Sequence, residues 1–208
     1  NASGTAGLIA LAEAQAKVGP ADRSIVFLSV TAEESGLLGS AYYGANPVYP
    51  LDRTVGGINM DGLNLIGRTR DVTVVGIGKS ELEPILARLA KTQNRVIVPE
   101  ANPEKGSFFR SDHFSLAKHG VPMIYFGSGQ DLLEGGEAAG VAAREEYITN
   151  RYHKPQDEYR ADWNWEGAIE DLALNYEIGR ELATGNAWPN WYPSAEFRAI
   201  RDKSRAAK

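Results

Sequence analysis

An α/β fold, with helices covering a largely parallel sheet, follows from two features of the chain. Runs of β-branched and other apolar residues alternate with amphipathic stretches. Between them fall Gly19-Pro20, Asn46-Pro47 and Gly120-Val121-Pro122, where each proline stops a helix or opens an extended segment. A length of 208 residues is enough to bury the core of one domain.

The elements are expected in this order. Asn1 to Thr5 forms the polar, capped mouth of a helix over about Ser3 to Lys17. Ser24 to Val30, almost wholly apolar, reads as a buried strand. A helix from Leu37 to Asn46 ends at Pro47, and a strand follows from Thr54 to Met60. Asp71 to Ile77 is the next strand, Ser80 to Asn94 a helix, and Arg95 to Val98 a short strand. Ser111 to His119 is helical, Val121 to Phe126 is a strand, and Trp165 to Thr184 is a long helix.

Two segments break the rhythm. Ser128 to Tyr159 is glycine-rich and acidic, and is expected as a long loop shaping a substrate pocket beside the sheet. The tail from Asn186 carries Trp188, Trp191 and Tyr192, whose rings are expected to pack over the body, before a basic, helix-permissive end.

Composition excludes several functions. A net charge of -5 with both signs scattered leaves no basic stripe for nucleic acid and no polybasic anchor. No run is long enough to span a bilayer, and no leader peptide is visible. With no cysteine, a bound metal would take histidine and carboxylate donors.

The chemistry concentrates in Thr31-Ala32-Glu33-Glu34-Ser35-Gly36-Leu37-Leu38-Gly39-Ser40, directly after the first strand, where open α/β sheets place their sites. One of two adjacent carboxylates can turn to a cation while its neighbour takes a proton from water. Asp61, in Asn59-Met60-Asp61-Gly62, follows the second strand, and His153 lies in the late loop. Each alone has a structural reading: carboxylates at a helix start, an Asp-Gly turn, a loop histidine bonding backbone. Their order along one sheet edge is what favours a metal-dependent hydrolase.

Taken together the motifs resemble the zinc-dependent exopeptidases of metallopeptidase family twenty-eight. That family includes bacterial leucyl aminopeptidases, prostate-specific membrane antigen and the non-catalytic transferrin receptor. The resemblance rests on Asn1-Ala2-Ser3-Gly4, the Glu33-Glu34 stretch, Asn59-Met60-Asp61-Gly62, Ser111-Asp112-His113-Phe114 with Gly120-Val121-Pro122, and Tyr152-His153-Lys154-Pro155-Gln156-Asp157. It implies a three-layer α/β/α fold with a mostly parallel mixed central sheet, and hydrolysis of peptide bonds at chain ends through two zinc ions. It also implies roles: Glu33 as general base, Glu34 and His153 as ligands of one zinc, and Asp61 as a ligand of the second. Ser111, Asp112, His113, Arg110 and Tyr152 become substrate-pocket residues or supports of the ligands.

The match has a gap. In the family a bridging aspartate immediately precedes the Asn-Ala-Ser-Gly motif, and a histidine ligand lies further upstream. The chain is therefore expected to be the C-terminal portion of one catalytic domain, without its upstream strands and first two metal ligands. Reduced or absent zinc occupancy, low activity of these residues alone, and self-association through an exposed sheet edge are the corresponding expectations. A peptide substrate and an exported whole protein are implied by the resemblance only. A single-zinc glutaminyl cyclase is the alternative enzyme, and a metal-free binding domain like the transferrin receptor's is the non-enzymatic rival. A binding domain has no need of Glu33, Glu34, Asp61 and His153 together.

Overall fold

The computed structural model describes residues 1–206. Its sheet has four strands, β1 (Gly57–Asn59), β2 (Asp71–Val74), β3 (Val96–Pro99) and β4 (Met123–Ser128), in the order β1-β4-β2-β3. β1 pairs parallel with β4 and β2 parallel with β3, while β2 and β4 run antiparallel. The helices are α1 (Ala2–Val18), α2 (Leu38–Ala45), α3 (Leu82–Thr92), α4 (His113–Ala117), α5 (Gly136–Asn150), α6 (Glu166–Thr184) and α7 (Arg198–Ala206). The expected mixed, mostly parallel sheet with flanking helices is what the chain forms. No helix among the described residues is long and apolar enough to cross a membrane.

Apolar side chains that alternate along β2 and β4 give the sheet two cores. On one face Val72, Val74, Ile124 and Phe126 pack with Leu82, Leu86 and Ala90 of α3 and with Leu174, Ile178 and Leu182 of α6. On the other, Val121 and Met123 meet Leu51, Phe108, Ala117, Trp191, Ala195 and Phe197. The aromatic tail thus serves the core: Trp191 is fully buried and its indole N–H donates to the Gly120 carbonyl at 3.0 Å. Trp188 lies beneath the guanidinium groups of Arg23, Arg201 and Arg205.

Two expectations are corrected. Ser24 to Val30 joins no ladder among the described residues, and Val26 and Phe27 are exposed. An apolar run specifies a strand only if another strand lies beside it to take its amides, and none of the described strands does. Ser128 to Tyr159 is not one long loop, because α5 fills its middle. That helix escaped the periodicity test because it has no apolar stripe: only Gly140 of its residues is buried.

Candidate functional site

Glu33 and Glu34 stand on a single 3-10 turn, Glu33–Ser35, tied off at both ends. Ala32 and Leu37 take left-handed conformations with φ of 57° and 61°, a strained choice for residues with a β-carbon. The turn is held by Leu37 and Leu38 amides donating to the Glu33 and Ala32 carbonyls at 2.8 and 3.2 Å, and by Gly39 donating to Thr31 at 2.9 Å. A β-carbon at Gly39 would fall 2.4 Å from the Thr31 carbonyl oxygen, so only glycine closes this knot. Reversing the chain so tightly leaves Glu33 half-buried, while the Glu34 side chain is 71% exposed.

Asp61 lies two residues beyond β1. One carboxylate oxygen accepts from the Gly62 amide at 2.9 Å, and the other from the Ser111 hydroxyl at 3.4 Å. Ser111 is itself held by the Asn59 side-chain amide at 2.9 Å. The mouth of α1 supports this loop from behind: the Ser3 hydroxyl accepts from the Leu63 amide at 3.0 Å. At Gly4 a β-carbon would stand 2.6 Å from the Asp61 carbonyl oxygen. The Asn1-Ala2-Ser3-Gly4 motif therefore works as a close-packed buttress for Asp61.

His153 is presented by the turn after α5, at a φ of 58°. Its ring stacks on Tyr152 with centroids 3.9 Å apart, and its Nε2 approaches Glu34 Oε1 to 2.8 Å. Glu33, Glu34, Asp61, Arg110, Ser111, Asp112, His113, Tyr152 and His153 all border one hollow of about 2720 Å³.

Charges on its rim act on one another. Burial raises the Glu33 carboxyl above its ordinary value, and Glu34, Asp61 and Asp112 push it further, with His153 opposing. Asp112 is also raised, first by burial and then by Asp61, against a hydrogen bond involving Ser40. Burial raises the Tyr152 hydroxyl, as do Glu34, Asp61 and Glu33, with Arg144 acting the other way. Arg110 is exposed on the rim.

Asn59, Tyr125 and Arg144 also border the site, and the sequence did not single them out. The Tyr125 hydroxyl is raised by burial and by Asp61, with Arg144 opposing. Its place follows from register, since Tyr125 pairs with Asn59 across β4 and β1. Arg144 belongs to the helix that periodicity missed. The motif Asn59-Met60-Asp61 did carry a signal for Asn59: a side-chain amide at the last position of a strand feeding an acidic loop.

His113 differs from the rest. It is 1% exposed, set edge-on against Phe108 at 4.5 Å, and neither ring nitrogen has a hydrogen-bond partner among the described residues. Burial lowers its pKa to about 4. Because the unfolded ring takes up a proton that the folded one refuses, His113 contributes stability above pH ~6.5 that is lost as pH falls toward ~4. The expected loss is about 3 kcal/mol across that window. Urea unfolding at pH 7 and pH 4.5 checks it: His113→Leu should remove most of the difference, and an unchanged difference would reassign the acid sensitivity.

A catalytic zinc site takes three protein donors and keeps a further position open. Among the described residues no group of three His, Asp or Glu side chains is placed to hold a metal ion. His153 meets Glu34, and Asp61 is bound by Ser111, but among the described residues these side chains do not make a complete metal site.

The model of peptidase family M28 matches residues 1–177. Among solved structures, an aminopeptidase from Aneurinibacillus sp. strain AM-1 superposes with a TM-score of 0.59 at 22% identity. The match covers 90% of this chain and 40% of the aminopeptidase, so the chain spans less than half of that enzyme's length. At that identity the likeness is one of fold. No curated protein gives a match. With its family match running from the buttress at Asn1 through His153 and most of α6, the chain belongs to peptidase family M28.

Proposed function

We propose that the chain is part of the catalytic domain of a metal-dependent aminopeptidase, which hydrolyses the first peptide bond of its substrate. The observation that carries this reading is the approach of His153 to Glu34 at 2.8 Å beside a half-buried Glu33 whose carboxyl is raised by its neighbours. A carboxylate moved toward neutrality is suited to take a proton from an attacking water and return it to the leaving amine. Glu33 has that role. Glu34, Asp61 and His153 are this chain's share of the donors for zinc, and the remaining donors belong to other residues of the full-length protein. Ser111 orients Asp61, and Tyr152 holds the His153 ring by stacking.

The decisive assay uses the full-length protein on aminoacyl amides and on N-terminal glutaminyl peptides. Release of free amino acid from the amides supports the proposal. Cyclisation of the glutaminyl peptides without such release would make the protein a cyclase, and inactivity on both with no bound metal would make it a binding domain.

His153→Ala gives a separate check. Loss of a supporting residue around a metal typically costs roughly 10–100-fold in affinity, and loss of a direct donor should exceed that. Zinc titration of the full-length variant is therefore expected to show more than ~100-fold weaker binding at one site. Unaltered zinc affinity would remove His153 from the donor set.

A further inference from the structure

Gly140 sets which side of α5 faces the body. A β-carbon there would stand 2.0 Å from the Gln130 carbonyl oxygen, so the helix is pressed against the loop after β4 along that side. Arg144 comes one turn further on and Tyr147 about a turn after that, on the same side, and both border the hollow. The Tyr147 hydroxyl donates to Asp157 at 3.1 Å, and its ring lies 6.0 Å from that of Tyr152, which stacks on His153. This side of α5 is therefore joined to the turn that presents His153. Arg144 also reaches Tyr125 on β4: burial raises the Tyr125 and Tyr152 hydroxyls, and the guanidinium opposes both. Arg151 and Arg160, the arginines that follow it along the chain, are paired with Glu146 and Asp162. Arg144 is exposed and has neither an ion pair nor a hydrogen bond among the described residues.

We propose that Arg144 is a specificity-determining residue of this site, binding a carboxylate that the substrate carries close to its scissile bond. Its planar guanidinium offers two parallel N–H donors, the fork that a carboxylate accepts in bidentate fashion. The surroundings make such a cation necessary for an anionic substrate. Glu33, Glu34, Asp61 and Asp112 border the same hollow and repel a further negative charge, so a carboxylate is admitted only where a positive group offsets them. Two kinds of substrate place this group within two residues of the bond to be cut: one with an acidic first side chain, and a dipeptide with its free C-terminus. The inference deepens the aminopeptidase reading and rests on it, and the test separates the two.

The test measures binding to the full-length protein by calorimetry, with probes whose scissile CO–NH is replaced by CH2–NH so that none is cleaved. One pair is Ala-Ala with a free carboxylate against Ala-Ala-amide, and the other is Glu-Ala-amide against Gln-Ala-amide. In one of these pairs the carboxylate member should bind at least roughly tenfold more tightly, and that pair names where the carboxylate comes from. Arg144→Met should bring the ratio within about threefold, while Arg144→Lys, a point charge without the fork, should keep part of it. Because the side chain is exposed, the melting temperature of each variant should match that of the unaltered protein. Equal binding within both pairs, or a preference that survives in Arg144→Met, would overturn the proposal. Hydrolysis of the parent peptides without discrimination among the probes would remove Arg144 and leave the aminopeptidase standing. Discrimination that depends on Arg144, with no hydrolysis of those peptides, would leave Arg144 its ligand and overturn the aminopeptidase reading instead.

Discussion

Glu33→Gln in the full-length protein is expected to cut kcat by roughly two to four decades while zinc content stays unchanged. The glutamine side chain keeps the shape of glutamate but cannot accept a proton, so the change removes one chemical capacity and little packing. The proposed role falls to Glu33 because it is the less exposed of the adjacent pair, and its proton affinity is raised by burial and by Glu34, Asp61 and Asp112. Glu34 faces solvent and pairs with His153 at 2.8 Å. Steady-state kinetics on an aminoacyl amide, with zinc measured on the same sample, reads the result. Activity within tenfold of the unaltered protein would transfer the proton-accepting role elsewhere, and simultaneous loss of zinc would make Glu33 a donor instead.

Asp171→Asn is expected to destabilise the fold by about 3–5 kcal/mol, the cost of leaving a buried charge without its partner. Arg95 and Asp171 approach to 2.8 Å with side chains only 1% and 4% exposed. Ser128 donates to Asp171 at 2.7 Å, and Arg95 donates to the Thr69 hydroxyl and the Asp71 carbonyl, both at 3.0 Å. The pair therefore ties α6 to β2, β3 and β4 through the sheet's buried end. Converting the aspartate to an amide leaves the guanidinium in place with its countercharge gone. Replacing both residues by leucine and methionine should cost far less than the single change, because no charge is then stranded. Urea unfolding of the three variants decides it. A single-variant loss below ~1 kcal/mol would show that water reaches the pair.

Much of the fold was legible because burial imposes a period. The Leu82, Leu86, Ala90 stripe of α3 and the Leu174, Ile178, Leu182 stripe of α6 face one core, and their spacing is a helix's. β2 and β4 were legible as runs of β-branched and aromatic residues. The same reasoning failed at α5, which contributes no apolar stripe and buries only Gly140, packed against the Gln130 carbonyl. It also failed at residues 24–30, where the side chains have a strand's composition but the backbone has no neighbour. Periodicity reports what a segment would bury and is silent on whether a partner is present to bury it against.

The candidate site divides in a similar way. Chemistry-bearing residue types in a fixed order, Glu33 with Glu34, Asp61, Ser111 to His113, and His153, were determined by the sequence alone, as was family membership through those motifs. Only the tertiary structure decided which side chains meet: His153 with Glu34, Asp61 with Ser111, and Tyr125 beside Asn59 through strand register. It also set His113 against Phe108 with no hydrogen-bond partner among the described residues. The reason is physical. Residue type sets what a group can donate or accept, whereas distance, burial and neighbouring charge set whether it does, and those arise only when segments far apart along the chain are packed together.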